Sequence, residues 1–226
     1  MDSRDVESHS VRRMFLARLA VGTGVLGAGL VGSRAARAGR ASWRPARHAQ
    51  DDWFDRIPGV HRIVFDTTTP DEMRAALRYA QNYYLANQNA YGLKNSDLAV
   101  VIIARHSSTP FGYNDAIWAK YGKQLSELME FTDPKTKQPP TVNLLATAGD
   151  SSTEAGRMAD LIKRGAQFAV CETATRELAG AIGKATGTDA EAVVKGIAAN
   201  LVGNARMVPA GIVAVNRTQE RRYTLA

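Results

Sequence analysis

Apolar residues in this chain fall into short solid runs separated by helical spacings, and that alternation predicts a layered α/β fold. Arg62-Ile63-Val64-Phe65-Asp66 reads as a first strand. Thr69-Pro70-Asp71-Glu72 has the parts of a helix start: Thr69 as N-cap, Pro70 at the first helical position and Glu72 to close a capping box. Met73, Leu77, Ala80 and Tyr84 then recur at spacings of four, three and four, which turns one helical face to the core. Leu98-Ala99-Val100-Val101-Ile102-Ile103 has no polar alternation and fits a strand covered on both sides, as in a parallel sheet.

Ser107 to Asn114, with Pro110 and Gly112, reads as irregular, followed by a short helix over residues 115–121. Residues 132–140 carry three prolines and read as a loop. Val142-Asn143-Leu144-Leu145-Ala146 is expected as a short strand. Ser151-Ser152-Thr153-Glu154 repeats the capping-box pattern ahead of Met158, Leu161 and Ile162, with Gly165 as the stop. Ala166-Gln167-Phe168-Ala169-Val170 is a strand ending at Cys171, and a helix begins near Thr173. Asp189 caps a helix carrying Val193, Val194, Ile197 and Leu201. Arg206-Met207-Val208 is a strand, Pro209 opens a helix to about Glu220, and Tyr223-Thr224-Leu225 is a last strand. Strands separated by helices in this order predict a three-layer, doubly wound, mostly parallel sheet.

Composition adds that the chain has the 45% hydrophobic and 23% charged residues of an ordinary globular protein. Its net charge of +7 is unevenly placed. Six arginines face three acidic residues in 1–38, and three more arginines lie in 39–50, so residues 51–226 carry only about +1. The basic balance belongs to the N-terminal segment, and nucleic acid is excluded as an expected partner. Cys171 is the only cysteine, so no intramolecular disulfide can form. His9, His48, His61 and His106 show no metal-ligand spacing, and no phosphate loop or dinucleotide fingerprint is present. No metal and no cofactor is expected.

The N-terminal segment resembles a twin-arginine translocation signal. Arg12-Arg13-Met14-Phe15-Leu16 precedes a weakly hydrophobic, glycine-rich run over residues 19–32, and Ala36-Arg37-Ala38 offers small residues at a cleavage site. The run is shorter than the roughly 20 residues a stable span needs. The resemblance implies that Arg12, Arg13, Phe15 and Leu16 address the chain to the twin-arginine translocase. It also implies cleavage beside Ala36 and Ala38, a periplasmic or other extracytoplasmic destination, and no membrane span afterwards; a retained anchor is the alternative. The expected organisation is a signal over 1–38, a flexible linker over 39–58 and an α/β domain over 59–226.

In an open α/β sheet, ligands bind beyond the carboxyl ends of the strands. Here those ends are Asp66-Thr67, Arg105-His106-Ser107, Cys171-Glu172-Thr173 and Val208-Pro209-Ala210-Gly211. Cys171 stands before a helix N-terminus, where amide N–H groups and the helix dipole favour a thiolate; Glu172 opposes that with its own charge. The competing reading makes Cys171 a small buried hydrophobe. Arg105 offers a planar fork for an anion, and His106 an imidazole that titrates near working pH. Asp66 is read as capping the turn that follows it, with a polar anchor in the rim as the alternative. Phe111 and Tyr113 either cover the rim as a lid or pack to hold their loop.

Three segments resemble the DsrE/DsrF-like family of small α/β sulfur-handling proteins: Arg62–Asp66, Leu161 to Cys171, and Met207 to Tyr223. The resemblance implies a flavodoxin-like fold, assembly as a trimer or hexamer, and, by analogy with relay members, a sulfur carried on Cys171 as a persulfide. A non-catalytic module that binds a small ligand or partner through the same rim, and an oligomeric accessory protein, are the alternatives. Relay members work in the cytoplasm, and this chain departs from them in carrying an export-like segment. Whether the chain is an enzyme is left open by its sequence.

Overall fold

A computed structural model describes residues 44–146 and 154–226. The signal-like residues Arg12, Arg13, Phe15, Leu16, Ala36 and Ala38 lie outside the described residues, as do Ser151, Ser152 and Thr153 of the second capping box.

A helical turn over Ala49–Asp51 and the short helix α1 (Trp53–Arg56) precede β1 (His61–Thr67). Then come α2 (Pro70–Tyr91), β2 (Leu98–Ala104), a 3-10 segment over His106–Gly112, α3 (Asp115–Met129) and α4 (Glu154–Arg164). The chain continues through β3 (Gln167–Cys171), α5 (Glu172–Thr186), α6 (Ala190–Ala198), β4 (Ala205–Val208), α7 (Gly211–Gln219) and β5 (Thr224–Leu225). The five described strands are all parallel, in the order β4-β3-β2-β1-β5.

That order explains the layers. Steps from β1 to β2, β3 and β4 all run the same way, and right-handed crossovers put their helices on one face. The return from β4 to the far side of β1 runs the opposite way, so α7 lies on the other face. Strand residues alternate accordingly. Phe65, Val100, Ile102, Phe168 and Val170 join Met73, Leu77, Trp118, Leu125, Met158 and Ile182 in the larger core. Val64, Val101, Ile103, Ala169 and Val208 meet Phe54, Ala214, Val215 and Tyr223 in the smaller one. β2 is buried at all seven positions because helices cover both of its sides. The fold is a three-layer α/β sandwich around a parallel sheet.

Thr69 caps α2 with the reciprocal Glu72 bonds read from the sequence, and Gly92 ends it in the left-handed region at φ 66°. Tyr84 packs into the larger core and Tyr83 lies half-buried beside it.

Three expectations are corrected. The linker does not extend to residue 58: Trp53, Phe54 and Ile57 are buried and cover the smaller core, Trp53 and Phe54 with rings 3.8 Å apart. Two aromatic side chains bury enough apolar area to fix a segment with no periodicity of its own. The strand expected at 142–146 is a turn. Asn143 is fully buried there, and its amide nitrogen donates to the carbonyls of Phe111 (2.8 Å) and Tyr113 (2.7 Å). One side chain thus holds the irregular segment down and leaves no strand partner needed. The helix expected over 115–121 runs on to Met129, because Leu125 and Met129 continue its buried face.

Candidate functional site

The carboxyl rim begins with a stitched corner between β1 and β2. Thr67 Oγ1 donates to the Ile103 carbonyl (2.8 Å), and Ser108 Oγ lies 2.9 Å from Thr67 Oγ1. The Arg105 amide donates to the Thr67 carbonyl (3.1 Å) and to Ser108 Oγ (3.0 Å). The backbone leaving β2 is therefore held fast where Arg105 and His106 emerge, and His106 is forced to φ 53°. That left-handed conformation costs about 1 kcal/mol in a non-glycine residue.

Arg105 points to the α7 side of the sheet. Its Nε and Nη2 donate to the two carboxylate oxygens of Asp66, at 2.8 and 2.7 Å. Asp66 is thus a rim anchor, and its reading as a turn cap is corrected: Thr69 caps that turn, while Asp66 answers a fork-shaped cation. The guanidinium is raised above its ordinary pKa by this pairing first, with Glu72 and Cys171 acting in the same sense. Its stem passes over Gly211 at the start of α7, where a Cβ would sit 2.4 Å from Arg105 Cβ. Only a glycine leaves room there.

Cys171 ends β3 next to this pair. Ala104 pairs with Val170, so the next residues on each strand, Arg105 and Cys171, come out side by side. Cys171 is the N-cap of α5, and its Sγ accepts the Ala174 amide N–H at 3.4 Å. Thr175 donates its hydroxyl proton to the Cys171 carbonyl (2.9 Å), which leaves the buried Tyr113 hydroxyl to donate to Thr175 (2.8 Å). Glu172 turns away to Arg176, 2.8 Å distant, and Arg176 also reaches Glu191 at 2.8 Å. The negative charge that the sequence sets against a thiolate is drawn off by a cation. Cys171 is 6% exposed, so the sulfur lies at the rim but nearly closed in.

His106 goes the other way. It stands exposed, its Nδ1 3.0 Å from Ser107 Oγ, and lines a groove of about 240 Å³ with Leu128, Met129, Glu177 and Leu178 between α3 and α5. The rim therefore brings Arg105 and Cys171 together on one face and sends the imidazole to the other. Phe111 and Tyr113 are fully buried and hold their loop by packing. Ser108, Gly211 and Thr175 have supporting roles that the sequence reading missed; Gly211, directly after a strand and a proline, carried the one usable signal, a close backbone approach. Among the described residues, no three His, Cys, Asp or Glu side chains gather to hold a metal, and no helix is long and apolar enough to cross a membrane.

No family model matches the chain, and no curated protein matches it. Among solved structures it is similar to MTH1491, a protein of unknown function from Methanobacterium thermoautotrophicum, at 16% identity. The match covers 74% of this chain and 97% of that one, with a TM-score of 0.37.

Proposed function

We propose that this chain is an exported DsrE/DsrF-like protein that handles sulfur through Cys171. The observation that carries the reading is the amide N–H of α5 at 3.4 Å from Cys171 Sγ, with Arg105 at the neighbouring strand end. The thiolate is the reactive form in sulfur exchange. The Cys171 thiolate attacks the outer sulfur of a small persulfide donor. The donor's S–S bond breaks, its thiolate leaves, and Cys171 holds the transferred sulfur with its proton as a persulfide. An acceptor thiolate then takes the outer sulfur and returns Cys171 to its starting form, with no net oxidation. Cys171 as a whole residue is only 6% exposed, which restricts this exchange to small donors such as inorganic polysulfide.

Export through the twin-arginine translocase and assembly as a trimer or hexamer belong to the same reading, on the strength of the two sequence resemblances. Intact-mass measurement of the protein after exposure to polysulfide tests the chemistry. The expected result is a gain of one sulfur atom, lost on reduction and absent in Cys171→Ser. An unchanged mass overturns it. Export is tested by Arg12→Lys with Arg13→Lys, which should leave the protein in the cytoplasmic fraction.

The groove beside His106 supports a second reading, a module that binds a small ligand without chemistry. Under it, Cys171→Ser retains full ligand binding, whereas His106→Ala weakens it.

A further inference from the structure

At the opposite edge of the sheet, before β1 and before β5, lies a cleft of about 520 Å³ whose walls include Arg47, Asp55, Arg62, Glu220, Arg221 and Arg222. Four guanidinium groups meet two carboxylates there, and the carboxylates are already engaged. One oxygen of Asp55 accepts from both Arg47 (3.0 Å) and Arg221 (3.1 Å). Glu220 accepts from Arg217, which lies outside the cleft wall, at 2.9 and 3.0 Å. Arg62 gives its protons to neutral oxygens, the carbonyls of Phe54 (3.1 Å) and Ile57 (3.4 Å), which leave its charge uncancelled. The side chain of Arg222 is exposed on a backbone held at φ 64° and faces no carboxylate within ion-pairing distance among the described residues. Beneath the cleft, Arg221 is fully buried, and its Nη2 has no hydrogen-bond acceptor; Asp52 stands 4.0 Å away.

Several arginines elsewhere in the fold sit on their own carboxylates: Arg105 on Asp66, Arg164 on Asp160 and Arg176 on Glu172. At this cleft positive charge is gathered in excess around a concave space; a smaller hollow of about 180 Å³ carries Arg56 and Arg206, the latter laid over the Trp53 ring at 4.5 Å. Positive charge left without a counter-ion around a concave space favours an anion, and charge-assisted hydrogen bonds to it are about twice as strong as neutral ones. Planar forks converging from several directions match the oxygens of a tetrahedral, doubly charged group. The cleft holds far more than a bare ion, given that one water occupies roughly 30 Å³.

We propose that this cleft binds a small organic phosphate monoester, its doubly charged head among Arg47, Arg62 and Arg222. The site stands at the amino ends of the strands, across the sheet from Cys171, and is independent of the sulfur reading.

Calorimetric titration of the full chain at constant chloride tests this, with phenyl phosphate, inorganic phosphate and inorganic sulfate as probes. Saturable binding of the ester, tighter than of either bare ion, is the expected result. Bare phosphate binding as tightly as the ester overturns the ester assignment, and no saturable heat from any probe overturns the site. Arg222→Gly suits the left-handed backbone and keeps the fold; it should weaken the ester about tenfold, the loss of one charge-assisted contact. Arg62→Gln should weaken it at least as much, and parent-like affinity in both variants overturns the proposal. Cys171→Ser should bind the ester as the parent does, which separates this outcome from that of the sulfur experiment.

Discussion

At the carboxyl rim, Arg105 closes two nitrogens of its fork on the two oxygens of Asp66, and the pair is three-quarters or so buried. At the amino edge, two guanidinium groups divide one oxygen of Asp55, and among the described residues Arg222 faces no carboxylate within ion-pairing distance. The same side chain is spent on structure in the first place and left in surplus in the second. A matched cation fixes the geometry of the strand ends and can lend only part of its field to the neighbouring sulfur. An unmatched cluster is held by the scaffold around it and keeps its field for something else. Reading an arginine's role therefore requires its partner's location more than its own.

The contrast can be broken most severely at Gly59, which carries the amino edge at φ 119° with a Cβ position 2.6 Å from the Ala99 amide nitrogen and 2.7 Å from the Leu98 carbonyl carbon. Gly59→Ala forces backbone against backbone in a conformation L residues avoid, and about 3 kcal/mol or more of stability should be lost in urea denaturation. At the rim, Asp66→Ala strands a half-buried guanidinium; about 2 kcal/mol should be lost by the same measurement, while Arg222→Gly should cost almost nothing. Equal losses from those two would erase the distinction between spent and surplus arginines. Gly211→Ala pushes a methyl group to 2.4 Å from Arg105 Cβ, which is fixed to a pinned backbone, so about 2 kcal/mol should be lost.

The smallest effect is a pH dependence at the rim. Glu72 is held below the ordinary carboxylate value of 4.5, chiefly by the hydroxyl and amide of Thr68, with Arg105 adding to the effect. A carboxylate favoured in the folded state contributes stability that is complete above the unfolded pKa and lost as pH falls through the folded one. Urea midpoints followed from about pH 6 to about pH 3 should decline more steeply for the parent than for Glu72→Gln. Parallel curves would remove Glu72 from the rim's electrostatics.

Much of the architecture was legible in the residues because the strands are solid apolar runs and the helix starts carry explicit caps. Leu98–Ile103 and the Thr69–Glu72 box are local signals, and the structure repeats them nearly residue for residue. Trp53 and Phe54 were missed because two aromatics in a segment without periodicity declare their burial only when a sheet face arrives to receive them. The run at 142–146 misled because its one polar residue, Asn143, does the organising. The Asp66–Arg105 pair joins residues far apart in sequence through the parallel register of β1 and β2, and no spacing rule encodes that. The strand-end principle located the thiol and the guanidinium together, yet it could not say that the adjacent imidazole leaves by the other face. The basic cleft is less legible still, since its cations run from Arg47 to Arg222 and meet only after the chain has crossed the whole sheet.

That crossing has a kinetic side. β5 docks beside β1, with Ile63 opposite Thr224 and Val64 opposite Leu225, so the latest described strand completes a ladder opened by the earliest. Contacts this distant in sequence form slowly, because a long loop must close before any of them is rewarded. The block from β1 to β4 can assemble from neighbours, whereas the edge that carries Arg221 and Arg222 waits for α7 to travel back over it. Maturation of the chain should accordingly show two phases, with the arginine-rich end the last part to become ordered.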